Sequence, residues 1–315
     1  MNKVLTLLKT NTLTSIQDNG RFGYAHLGIT QGGAADEYSF HWANKLLENP
    51  FSSPTIETSL GGFEAEFQQG SWFAVTGALD NVYLDDIKVS NWSRVWAKRG
   101  QRLSVRMPRS GLRNYIALPS GVKAPLHHGS TSTVAKDRLG GLHRDGQGLK
   151  AGDDLYCVTP SPTQFRQVSV SPQFVPDFAP SSIIQLRLLP GSQYSLFDQN
   201  ATQTLYKTIY SVSSQSNKMG YQLTGTPITT PLQHLISEPI AHGAVQVPPS
   251  GHPIVMLCER QTIGGYHKLG TVARLDLAKL SQAKPGTKIQ FIATDANSCL
   301  REYKNWLKFF QIKAP

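Results

Sequence analysis

Charge is scarce in this 315-residue chain. Asp, Glu, Lys and Arg make up 17% of it, against about a quarter in ordinary globular domains. That is too little to lace a long exposed helix or coiled coil, and too little for a disordered tail. Cysteine is scarcer still. Cys157, Cys258 and Cys299 form no C-x-x-C pair, which excludes a disulfide framework and a zinc ribbon. Each sits in apolar company and reads as a core residue. No apolar run approaches the ~20 residues of a membrane helix. The short run at residues 4–8 is broken by Thr6 and lacks the apolar core of a secretory signal. A cytoplasmic protein without membrane contact is the expectation.

Familiar chemical signatures are missing too. There is no G-x-x-x-x-G-K-[ST] phosphate loop, no H-E-x-x-H and no G-x-S-x-G. There is no amidase Ser-Ser-Lys signature. Lys218-Met219 lies outside any Met-Lys-Met sequence, so no covalent biotin is expected on this chain. Nine histidines are scattered, and only His127-His128 adjoin. On a strand their rings would point to opposite faces, so no metal site is expected.

What the chain does have is turn residues and strand-like alternation. It carries 27 Gly and 19 Pro, and its length suits two domains with cores of their own. Residues 72–76 read as a strand, and residues 81–92 as a hairpin turning near Asp85-Asp86. Leu103, Val105 and Met107 alternate with Arg102, Ser104 and Arg106. Residues 183–189 and 254–257 are further strands. Three Gly turns recur: Lys98-Arg99-Gly100, Lys150-Ala151-Gly152 and Lys284-Pro285-Gly286, each delivering the chain into a strand. Helices are few. Asp36 caps one that Asn49-Pro50 ends, residues 276–283 form a short second, and Asp295 caps a C-terminal third. Residues 160–180 hold five prolines among Ser and Gln and read as an extended connection. The expected domains are residues 1–170 and 181–315, both mostly β.

The net charge is +10. Seven Lys or Arg crowd residues 94–113, a basic strand face suited to an acidic partner protein. Stacking aromatics are not interleaved there, so nucleic acid is not the expected partner.

Three polar stretches stand out. Gln17-Asp18-Asn19-Gly20-Arg21-Phe22-Gly23-Tyr24 is either a glycine-shaped loop braced by an Asp18–Arg21 ion pair, or a substrate-facing loop. In the second case Arg21 forks onto a carboxylate or phosphate. Gly129-Ser130-Thr131-Ser132-Thr133 is either a polar turn or an anion-holding hydroxyl cluster. Residues 237–266 are densest, with Glu238, Gln246, and Glu259-Arg260-Gln261-Thr262 before Gly264-Gly265-Tyr266. Polar groups at a strand mouth suit a binding site. There Glu259 acts as acid or base, or pairs with Arg260.

In this order the motifs resemble the carboxyltransferase-like "allophanate hydrolase subunit 2" or KipA family, over roughly residues 5–295. The opening Gln-Asp-x-Gly-Arg-x-Gly-Tyr stands at residues 17–24. Gly33 to Asp36, Ala43-Asn44, Glu57, Thr76-Gly77-Ala78, residues 111–115 and the 129–133 stretch follow. Met219-Gly220-Tyr221, Ser237-Glu238-Pro239, Gln246-Val247-Pro248-Pro249 and Arg260-Gln261-Thr262 complete the match. Departures include Asn217-Lys218 for Asp-Arg, Glu259 for Asp, and Ser120 in place of a Gly.

The resemblance implies two tandem cyclophilin-like β-barrel domains with a few short helices. It is greatest to members that serve an ATP-dependent 5-oxoprolinase. The function implied is that of a subunit of such an enzyme, with ATP shared among subunits. The partners implied are a subunit-1 protein (KipI- or PxpB-like) and a third, PxpA-like subunit. Alternatives are a biotin-dependent carboxyltransferase subunit, as in urea carboxylase, or a KipA-like regulatory binding protein. On this reading the candidate catalytic residues are Glu238, Glu259 and Arg260. The candidate substrate-binding residues are Asp18, Arg21, Tyr24, Ser130, Thr131, Gln246, Gln261 and Tyr266.

Overall fold

The computed structural model describes residues 2–159, 161–178, 183–231 and 235–312. The chain divides into two compact units. The first comprises Met1–Arg21 and Gly32–Ala179, the second Phe22–Gln31 and Pro180–Pro315. Both are built mainly of strands.

The first unit holds two six-stranded sheets. One runs Asp154–Cys157, Asn2–Lys9, Phe63–Phe67, Arg102–Val105, Val82–Leu84 and Ile87–Lys88 in spatial order. The other runs Val168–Ser169, Ser93–Ala97, Ser71–Leu79, Ser110–Ala117, Thr55–Ser59 and Ser15–Gln17. Alternation explains their shared core. Phe63, Ala65 and Phe67 point inward with Leu103 and Val105 of the neighbouring strand, and meet Ile16, Ile56 and Phe73 of the second sheet. The outward residues pair across the strands, as Glu66 with Arg102 at 3.6 Å. At the expected hairpin turn, Asp85 and Asp86 both have positive φ, 48° and 64°, the geometry of a type I′ turn.

Helix Glu37–Leu46 begins as the sequence predicts, with the Asp36 carboxylate accepting from Ser39 N at 3.0 Å. The basic stretch at residues 94–113 is not one free face. Arg94 is buried, donates to Leu46 O and Arg166 O, and lies over the Phe165 ring. Arg113 is buried as well. The expected connection is partly built into this unit. Val168–Ser169 joins the sheet edge, and Tyr38 donates to Phe174 O at 2.7 Å. Pro160 and residues 179–180 of it lie outside the described residues.

In the second unit seven strands close a barrel: Ile184–Pro190, His267–Val272, Ala244–Val247, Ile254–Met256, Gly220–Thr224, Tyr210–Val212 and Lys288–Ala293. The closing pair is parallel, with Leu186 beside Phe291. Leu186, Leu188, Tyr210, Val245, Val255 and Phe291 fill the interior. A two-stranded ribbon, Glu238–Pro239 with Ile263–Gly264, stands apart from it. The last helix, Ala296–Phe309, is capped by Asp295 as expected. The preceding one spans Arg274–Ser281 and starts two residues before the expected Asp276. That residue cannot cap it, because its carboxylate holds Arg187 at 2.8 and 2.9 Å. Helix Gln199–Lys207 has no counterpart in the sequence reading.

The three Gly turns are equivalent in the structure. Gly100, Gly152 and Gly286 have φ of 86°, 91° and 87°. A Cβ would meet nothing within 4 Å at any of them, so backbone conformation rather than space requires glycine there. Each donates its N–H to a nearby strand carbonyl, of Phe67, Leu7 and Val212 respectively.

Candidate functional site

The first polar cluster lies within the first unit. Residues 130–133 run beside strand Ser15–Gln17, tied by Thr133 N to Ile16 O at 2.9 Å and Gln17 Nε2 to Thr133 O at 3.1 Å. Asp18 sits in the curl they make and is 6% exposed. Its Oδ1 accepts from Gly20 N, Ser130 Oγ and Ser132 Oγ at 2.8, 2.6 and 2.5 Å. Its Oδ2 accepts from Thr131 N and Oγ1 at 2.7 and 3.1 Å. The hydroxyl stretch does hold an anion, and the anion is the chain's own Asp18.

Arg21 is buried beside it. Nε donates to His127 O at 3.0 Å and Nη2 to Ser132 O at 2.5 Å. Gly140 makes room, since a Cβ there would overlap Nη2 and the Ser132 carbonyl. The guanidinium thus addresses backbone carbonyls of the loop that wraps Asp18. His127 and His128 lie in a turn rather than a strand, with rings stacked at 4.6 Å. Burial, helped by the neighbouring His128 and Arg21, pushes the His127 pKa down. Glu57, one of the matched positions, accepts from buried Tyr115 at 2.7 Å and Ala35 N at 3.0 Å. Burial, then the Glu57 charge, drives the Tyr115 pKa well up.

The second cluster surrounds the ribbon of the second unit. Glu238 is half-buried. Its Oε1 accepts from Gln193 Nε2 at 2.5 Å and pairs with the Lys268 ammonium. The Gln193 carbonyl in turn accepts from Lys268 N at 2.8 Å. Glu259 pairs with Lys218 at 3.2 Å, not with Arg260, and both side chains are largely buried. Arg260 is fixed by Nε to Ile240 O at 2.8 Å, with Nη1 at 3.3 Å from both Leu257 O and Gln31 Oε1. Among the described residues no carboxylate pairs with Arg260, and no partner is found for its Nη2. Desolvation pulls its pKa down from the ordinary guanidinium value. Such a cation is short of an anion.

Gly264 faces two amides. A Cβ there would lie 3.2 Å from both Gln246 Nε2 and Gln261 Nε2 and would overlap Ile240 Cδ1 at 2.6 Å. Gln246 is buried and its Nε2 finds no acceptor. Gln261 is exposed, as is Tyr266. Tyr24, half-buried, precedes a short 3-10 turn, Ala25–Leu27. Eight of the expected residues therefore fall into two groups. Asp18, Arg21, Ser130 and Thr131 form the internal cluster. Glu238, Gln246, Arg260 and Gln261 gather at the ribbon.

Sequence reasoning missed Lys268, Gln193 and Gln31. Lys268 lies two residues beyond the Gly-Gly-Tyr motif, which was its only signal. Gln193 had none. Among the described residues no three His, Cys, Asp or Glu side chains are grouped to hold a metal. Among the described residues no helix is long and apolar enough to cross a membrane.

Residues 27–293 match the model of the carboxyltransferase domain, subdomain A and B. The chain is 34% identical to the 5-oxoprolinase C-subunit of Escherichia coli K12, over 98% of this chain and 97% of that one. It is 32% identical to the Haemophilus influenzae protein of the same name, over 98% of each. Urea amidolyase of Saccharomyces cerevisiae is 30% identical over 89% of this chain but only 16% of its own length. Among solved structures, the K. lactis urea amidolyase superposes with a TM-score of 0.86 at 26% identity, over 100% of this chain and 20% of that one. TTHA0988 gives 0.81 at 29%, over 92% of this chain, which spans little more than half of it, 56%. A family match across most of the chain, on a fold shared with urea amidolyase, places this protein in the carboxyltransferase subdomain A and B family.

Proposed function

We propose that this chain is one subunit of an ATP-driven 5-oxoprolinase, opening the lactam of 5-oxoproline to glutamate with separately encoded partners. The observation that carries this reading is the end-to-end match with a 5-oxoprolinase component in two bacteria. By contrast, the chain corresponds to only a fraction of urea amidolyase.

A lactam is a poor electrophile, and opening it requires activation, water and a proton for the leaving nitrogen. ATP, shared with the partner proteins, supplies the phosphoryl group that makes the lactam oxygen a leaving group. One water adds to the lactam carbon, the ring C–N bond breaks as the nitrogen takes a proton, and a second water displaces phosphate from the resulting acyl phosphate, so that both oxygens of the new carboxylate come from water. This chain's residues supply charge and proton handling. Arg260 is held at Nε and Nη1, which leaves Nη2 for negative charge developing on oxygen. Glu238 has Oε1 engaged by Gln193 and Lys268, and no described residue partners Oε2. That oxygen is the group to take a proton from water and pass it to the ring nitrogen. Glu259 acts as a positioning residue, since its pairing with Lys218 braces the loop that carries Arg260.

A carboxyltransferase reading is favoured by the fold match to urea amidolyase. It requires a biotin carrier on another chain. Glutamate formation from 5-oxoproline by this chain with its partners, in avidin-treated mixtures free of biotinylated protein, separates the two. Undiminished glutamate supports the lactam reading. Glutamate that appears only with a biotinylated carrier overturns it.

A further inference from the structure

The outer wall of the barrel carries an unfinished cation site. Lys268 lies opposite Gln246 in strand register, so the two side chains leave the same face of the sheet. The Lys268 ammonium is buried and offers three donors. Among the described residues its one partner is Glu238 Oε1, which Gln193 already shares. Gln246 is 1% exposed and its Nε2 has no acceptor. Buried donors left unmet are costly, and native structures rarely keep them without a reason. The same face opens on a cavity of about 310 Å³, lined by Lys268, Glu238, Ser192, Gly270 and Thr271 among others. That volume is at the small end for ligand sites and suits a metabolite of one ring.

We infer that this cavity receives the carboxylate of the substrate, with Lys268 as its cationic anchor. The inference rests on the proposed lactam reading, in which the substrate is a five-membered ring bearing one carboxylate. Glu238 is the resident counter-ion. It neutralises Lys268 in the free chain, and being 38% exposed at its side chain it has room to yield that place. Its carboxylate then turns toward the ring, where the proton is needed. An uncharged lactam gains nothing from Lys268, so the site selects the acid over its neutral analogues.

The test uses the enzyme reconstituted from this chain and its partner proteins, reading 5-oxoproline-dependent ADP release. Lys268→Met should raise KM for 5-oxoproline about tenfold to a hundredfold, the worth of a charge-assisted bond. Its kcat should stay within about threefold, and Lys268→Arg should recover most of the loss. Wild-type enzyme should show a KM at least about tenfold higher for the carboxamide of 5-oxoproline than for the acid, a comparison that needs no variant to fold. An unchanged KM in folded Lys268→Met, or equal KM for acid and carboxamide, overturns the anchor and leaves the proposed activity standing. No 5-oxoproline-dependent ADP release by the wild-type mixture overturns the proposed activity and the anchor with it.

Discussion

Replacing Asp18 by Asn separates a substrate-facing loop from an internal brace. The two side chains have the same shape, so the change is one of hydrogen-bond polarity. An asparagine must turn its NH₂ toward one of the two sets of donors around Asp18. On the Oδ2 side it meets Thr131 N–H, and on the Oδ1 side Gly20 N–H. Hydroxyls rotate to accept, but backbone donors cannot. One buried N–H is left unpaired, at about 1–3 kcal/mol, and the surviving bonds lose their charge assistance. The sum is about 3 kcal/mol. For a unit of this size each kcal/mol moves Tm by about 2–4 °C, so a fall of about 6–12 °C is expected. Tryptophan fluorescence is the assay, because Trp42, Trp72, Trp92 and Trp96 lie in the first unit and only Trp306 in the second. At 20 °C, well below the transition, KM for 5-oxoproline should be unchanged. A Tm within about 1 °C of wild type, or a raised KM without loss of Tm, refutes the brace.

Arg260→Ala should lower turnover at least about a hundredfold while thermal unfolding shifts little, because a donor to developing charge is lost; full activity would remove Arg260 from the chemistry. Lys218→Met and Glu259→Gln should couple in a double-mutant cycle by about 1–3 kcal/mol in urea unfolding, whereas simple additivity would mean the pair contributes nothing. Arg187→Met strands the Asp276 carboxylate, 2% exposed, and should cost about 3–5 kcal/mol in the same assay. Burial pushes the Cys157 thiol and the Tyr210 phenol each up to about 12. Their native values lie above those of the unfolded chain, about 8.5 and 10. The stability they contribute is therefore whole below about pH 8.5 and drains away as pH rises toward 12. The urea midpoint should fall across that window, and at pH 8 a thiol reagent should modify Cys299 in native protein and spare Cys157.

Local chemistry was legible in the sequence, and long-range chemistry was not. The caps by Asp36 and Asp295 reach only three residues along the chain, and the Gly turns are set by one residue's φ. The predominance of strands followed from alternation and Gly spacing. The hydroxyl partners of Asp18 lie more than a hundred residues away, so its cradle read as a separate anion site. Asp276 looked like a helix start because nothing nearby announces Arg187, 89 residues earlier. Helix Gln199–Lys207 escaped notice because only Ala201 and Leu205 of its residues are buried, too few to set a period. At the ribbon, the motif residues Glu238, Gln246 and Gln261 come together around Gly264. The cation that completes it, Lys268, became visible only through its strand register with Gln246.

The most direct measurement of the central claim is ADP release with 5-oxoproline by this chain mixed with the two proposed partner proteins, against the same mixture lacking this chain alone. The account predicts turnover that requires both 5-oxoproline and this chain. Turnover that persists without the chain, or none from well-folded components with it present, would contradict it.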